Sequence, residues 1–96
     1  MARKQIRIES LKDQIILYKV GSNIKKTRLE KEINQSSLAI LCNFNKAHLS
    51  RIEAGQINLR LLTLSKISAA LQVNLVELIS SLSDIKIVKP KKSSPK

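Results

Sequence analysis

The sequence predicts an all-α fold: a compact set of five helices, with short strands or arms possible at the two ends. Three observations carry that expectation. Between residues 10 and 83 the apolar side chains recur at helical spacing. Residues that favour helix starts and ends, namely Ser10, Asn34, Asn45, Gly55 and Asn74, cut that stretch into helix-length pieces. A composition of 43% apolar and 2% aromatic residues in a chain of 96 supplies one aliphatic core, mostly Leu and Ile, and one domain's worth of chain.

The first helix starts at a weak capping box, Ser10-Leu-Lys-Asp13, and runs to about Lys31 with Leu17, Val20 and Ile24 at core spacing and Gly21 as a weak point inside it. Asn34 caps a second helix, Gln35 to Cys42, whose expected inner face is Leu38, Leu41 and Cys42. Asn43 tolerates a left-handed backbone and ends it. Asn45 caps a third helix that Gly55 closes. After the loop from Gln56 to Leu59, a fourth helix presents Leu61, Leu64, Ile67, Ala70 and Leu71 to the core, and Asn74 caps a fifth with Leu75, Leu78, Ile79 and Leu82. Leu11, Ile15, Ile16, Leu17 and Tyr18 exceed what one helix face needs, so some of them are expected to cover the fifth helix or a second subunit.

The ends differ from the middle. Gln5 to Glu9 and Asp84 to Lys89 alternate apolar with polar residues, a period that suits short strands, with arms as the alternative. Pro90 to Lys96 has no apolar content and is expected to be disordered. The organisation expected is an N-terminal arm over 1–9, a domain over 10–83 and a basic tail over 84–96.

The formal charge of +11 points to a polyanionic partner, but its distribution matters more. Residues 1–10 carry +2 and residues 85–96 carry +5, leaving +4 for the middle, where ten basic residues face six acidic ones. A single Cys42 excludes an intrachain disulfide and a thiolate metal cluster, and with one histidine no metal site, cofactor site or nucleophile-base pair is expected. No apolar run approaches the ~18 residues of a membrane span and the start lacks a secretion signal, so a cytoplasmic, nucleoid-associated protein and not an enzyme is expected.

The third helix carries the functional signal. On a wheel of about 3.6 residues per turn, Lys46, Ala47, Ser50 and Arg51 form one outward stripe opposite Leu49 and Ile52. Two short helices joined by about three residues, the second apolar on one side only, have the architecture of a helix-turn-helix, whose second helix lies in the major groove. Small Ala47 and Ser50 let such a helix sit deep, while Arg51 and Lys46 offer donors suited to guanine O6 and N7.

Residues Gly21 to Leu78 resemble the phage repressor and Cro-like (XRE) helix-turn-helix domain. The resemblance rests on Ile24-Lys-Lys-Thr-Arg28, Asn34-Gln-Ser-Ser-Leu-Ala39, Leu49-Ser-Arg-Ile-Glu-Ala-Gly55 and Leu64-Ser-Lys-Ile-Ser-Ala-Ala-Leu-Gln-Val73, each at the family's spacing. It implies a lambda-repressor-like fold like that of restriction-modification controller regulators. It also implies a sequence-specific regulator of transcription that binds double-stranded DNA as a homodimer. By resemblance Gln35 binds a backbone phosphate and braces the head of the recognition helix, Asn34 is its neighbouring phosphate contact, and Lys46, Ala47 and Arg51 read bases. His48 falls nearer the sugar and phosphate, and Arg28 and Glu53 match an ion pair beneath the recognition helix.

Three positions depart from the pattern. Glu32 and Asn43 stand where glycine is common, so the turn after the first helix is expected to be looser or the helix longer. Arg60 replaces the usual Ser or Thr cap of the fourth helix and becomes available to a phosphate. Two further readings stay open: an antitoxin that binds DNA together with a toxin partner, and a non-specific nucleic-acid binder acting through its lysine-rich ends.

Overall fold

A computed structural model describes residues 10–80. The expected arm, the terminal strands, the basic tail and Leu82 lie outside the described residues. Five helices follow in order: α1 (Leu11–Glu30), α2 (Gln35–Cys42), α3 (Lys46–Glu53), α4 (Leu61–Leu71) and α5 (Leu75–Ile79).

Three of the five helices start where a side chain satisfies one of the first N–H groups. Ser10 Oγ accepts from the Asp13 N–H at 3.0 Å, Asn34 Oδ1 from Ser37 at 2.8 Å, and Asn45 Oδ1 from His48 at 2.7 Å. Arg60 and Asn74 occupy the cap positions of α4 and α5 without a side-chain capping bond.

The exits share one device. Glu32, Asn43, Gly55 and Gln72 all take positive φ, from 58° to 73°, one or two residues after the ends of α1 to α4. The N–H that follows each reaches back to a carbonyl five residues earlier: Ile33 to Arg28, Phe44 to Ala39, Gln56 to Arg51 and Val73 to Ser68, at 2.8–3.1 Å. That is the Schellman closure, which occupies carbonyls the helix end would leave unpaired. Three of the four positions are not glycine, so the turn after α1 is neither looser nor displaced by Glu32; the side chain instead accepts a left-handed backbone.

The core is a single aliphatic cluster in which Ile24, Leu38, Leu49, Ile67, Leu71 and Leu78 are fully buried, one or two from every helix. Two expectations for inward faces fail. Leu41 is 62% exposed and Ala39 takes its place in the core, because α2 packs against both α3 and α4 through the 38, 39, 42 stripe. Leu61 is 66% exposed: it sits in the first turn of α4, before the helix reaches the core at Leu64.

Gly21 is a contact rather than a weak point. A Cβ there would collide with the Ile52 carbonyl oxygen and sit 2.6 Å from that of Glu53. Its missing side chain therefore lets the backbone of α1 lie directly on the last turn of α3. Gly55, at φ 73°, does the same from the other side, since a Cβ there would lie 2.8 Å from the Tyr18 Cα. The pitch of α3 against the body is thus set at its C-terminal end by two glycines.

Candidate nucleic-acid interface

Helix α3 is held from one side only. Leu49 and Ile52 are 0% and 2% exposed, whereas Lys46, Ala47, Ser50 and Arg51 are all exposed on the opposite side. No part of the described chain covers that stripe. His48 stands at its edge, half-buried, with its ring meeting Phe44 edge-on at 5.0 Å between centroids and 86° between planes. Phe44, half-buried in the α2–α3 turn, also lies 5.8 Å from the Lys66 ammonium.

The far end of α3 is fastened by polar bonds. Arg28 Nε and Nη2 donate to Glu53 Oε2 and Oε1 at 2.7 and 3.1 Å, and Arg28 Nη1 donates to the Ile33 carbonyl at 3.0 Å. Both residues of the pair are 6% exposed. Gln35 Nε2 adds a third bond to the carboxylate, donating to Glu53 Oε1 at 3.0 Å. A buried ion pair of this forked geometry is fully hydrogen-bonded, which is what makes it tolerable in a low-dielectric interior. It links α1, the α1–α2 turn, α2 and α3 at one point.

The amide of Gln35 therefore lies against the last turn of α3 rather than its head, where the resemblance would place it. Asn34 and Gln35 stand at the start of α2, and Arg60, exposed, stands at the start of α4. Asn34, which is exposed, spends its side-chain oxygen on the Ser37 N–H.

Sequence reasoning missed three contacts here: the bond from Gln35 to Glu53, the seating of His48 on Phe44, and the glycine approach of α1 to α3. The last had a signal. Gly21, Ile24 and Arg28 recur along one α1 face, so the glycine lies on the same stripe as the arginine that fastens α3.

Cys42 is buried, its Sγ 3.9 Å from the Lys66 carbonyl oxygen. Burial pushes its thiol up from the ordinary range, with the Lys66 charge pulling weakly the other way. Among the described residues no group of His, Cys, Asp and Glu is placed to hold a metal ion, and no helix is long and apolar enough to cross a membrane.

Residues 24–78 match the model of the Helix-turn-helix family. Control protein C.MunI of Mycoplasma sp is 38% identical over 68 residues, covering 70% of this chain and 92% of that protein. Among solved structures, the restriction-modification controller protein C.AhdI from Aeromonas hydrophila superposes with a TM-score of 0.63 at 31% identity, over 65% of this chain and 94% of its own. A point mutant of the restriction-modification controller protein C.Esp1396I gives 0.67 at 37% identity, over 73% and 93%.

Proposed function

This chain belongs to the Helix-turn-helix family, and from that premise we propose that α3 lies in the major groove of duplex DNA with Lys46, Ala47, Ser50 and Arg51 reading base edges. The protein is a sequence-specific DNA-binding regulator of transcription. The observation that carries the residue roles is the outward stripe itself: four adjacent side chains, two cationic and two small, on a rod anchored through Leu49 and Ile52. Small residues let the rod approach, and Arg51 has the donor fork that pairs with guanine.

Around that stripe Asn34, Gln35, His48 and Arg60 take the phosphates. Arg60 does so by charge; Asn34 and Gln35 do so beside the first-turn N–H groups of α2, where an anion is favoured by free donors and the helix dipole. Arg28 and Glu53 touch no DNA and hold α3 at its angle.

An eight-residue helix spans about 12 Å and so reads only a few base pairs. Useful affinity then requires two copies on half-sites about 34 Å apart, and the protein acts as a homodimer. A gel-shift titration on inverted-repeat duplexes tests both parts. Binding to a preferred two-fold symmetric site, weakening steeply as salt rises, is the expected result. Equal affinity for every duplex, or a preferred site without symmetry, contradicts the base-reading stripe or the dimer respectively.

A further inference from the structure

Helix α1 carries two stripes. One, running through Val20, Gly21, Ile24 and Arg28, is buried against the rest of the fold. The other is Leu11, Ile15, Tyr18, Ser22, Lys25 and Leu29, alternately four and three residues apart, which is the spacing of a helix that packs lengthwise on another helix. Its apolar members remain uncovered: Leu11, Tyr18 and Leu29 are 72%, 60% and 56% exposed.

The surface along this stripe is a groove rather than a ridge. Two shallow depressions, of about 520 and about 650 Å³, follow one another along α1 and share Tyr18 and Ala54. Their other wall is the end of α3, where Gly55 packs on the Tyr18 backbone and leaves the ring outside. From Leu11 to Leu29 the seam is about 27 Å long, five turns of helix. Such a face suits a helix laid in a groove, read through residues spaced three and four apart.

Charge selects the occupant. Lys19, Lys25 and Lys26 border the groove against Glu30, while the other carboxylate on its wall, Glu53, is already held by Arg28. A second copy would bring another set of the same three lysines to the seam, with only Glu30 on each side to offset them. The chain's own ends are no better suited, with Arg3, Lys4 and Arg7 at one and five lysines from Lys86 onward at the other. Like charges across a close contact oppose association, whereas carboxylates would complement it.

We propose that the α1 groove receives an acidic amphipathic helix of a partner protein, its apolar stripe on Leu11, Ile15, Tyr18 and Leu29 and its carboxylates on Lys19, Lys25 and Lys26. Because the opposite wall is the end of α3, with Glu53 in it, an occupied groove would bear on the element that positions the DNA-facing stripe. The surface uses none of Lys46, Ala47, Ser50 or Arg51, so it stands independently of how those residues act.

Three synthetic helical peptides test it, each titrated by fluorescence anisotropy against the full chain near physiological salt. The first has leucines at seam spacing flanked by glutamates, the second has the same residues with the leucines scrambled off the seam, and the third has lysines in place of the glutamates. The first should bind at least tenfold more tightly than either of the others. Leu11→Ser with Tyr18→Ser should remove that advantage while leaving the circular-dichroism melt near that of the parent, since both side chains are mostly exposed. Lys25→Glu should weaken the first peptide and strengthen the third. Equal binding of the scrambled peptide, or indifference to the double serine variant, means charge attraction without a groove and overturns the proposal. Conversion of the double variant from dimer to monomer in sedimentation equilibrium assigns the face to a second copy and overturns it as well.

Discussion

Arg51 and Arg28 show how differently one residue type is used on two faces of the same small unit. Arg51 is exposed on α3, so its replacement by Ala should leave the fold intact and remove base discrimination, about 1–3 kcal/mol against the preferred duplex and little against an unrelated one. Competition gel shifts with the two duplexes measure that difference. Arg28 is buried and spends its donors on Glu53 and the Ile33 carbonyl, so Arg28→Ala strands a carboxylate in the core and should cost about 3–5 kcal/mol in urea melts, with DNA binding lost only as the fold is lost. Cys42 adds a test of burial. Its raised thiol pKa means the folded state favours the protonated form, so this contribution is complete below the ordinary thiol range and declines as pH rises above it. Alkylation of Cys42 by a maleimide should therefore require unfolding, which mass spectrometry with and without denaturant would reveal.

At the scale of the helices, the exits and the α1–α3 contact decide the geometry. Glu32 and Gln72 sit in the left-handed region that side chains with a Cβ enter only at a cost. Glu32→Gly and Gln72→Gly should each stabilise by about 0.5–1 kcal/mol in thermal melts, less than the full relief because glycine also loosens the unfolded chain. Gly21→Ala separates two accounts of one residue. Helix propensity alone predicts a gain of about 1 kcal/mol, whereas the approach to the Ile52 and Glu53 carbonyls predicts a net loss of about 1–3 kcal/mol, read from the same melts. Capping residues and aliphatic spacing made all five helices legible before the structure, because those signals are local. Leu41 and Leu61 were misplaced because a wheel gives the angle of a side chain but not which neighbours wait there. The bond from Gln35 to Glu53 depends on two helices meeting, which neither shows alone, whereas Gly21 shares a face with Ile24 and Arg28 and only its partner carbonyls on α3 were hidden.

The whole molecule combines a body of +4 over residues 11–84 with ends of +2 and +5, and the proposed function gives body and ends separate contributions to DNA binding. On the proposed reading the ends add affinity that salt removes and no sequence preference, and the α3 stripe adds preference. The size of the domain fits the same proposal, since a core this small presents one short outward helix, and the proposed dimer would supply the rest of the site. The proposed docking surface, the α1 groove, is lined by residues of α1 and of the end of α3 and includes none of Lys46, Ala47, Ser50 or Arg51. The most direct measurement of the central claim is a selection of duplexes from a random library, followed by affinity titrations of the parent chain, Arg51→Ala and a chain lacking residues 85–96 on the selected and unrelated duplexes. The account predicts a two-fold symmetric site whose advantage over unrelated DNA survives tail removal and collapses with Arg51→Ala. No enriched site, or an advantage that vanishes with the tail and ignores Arg51, would contradict it.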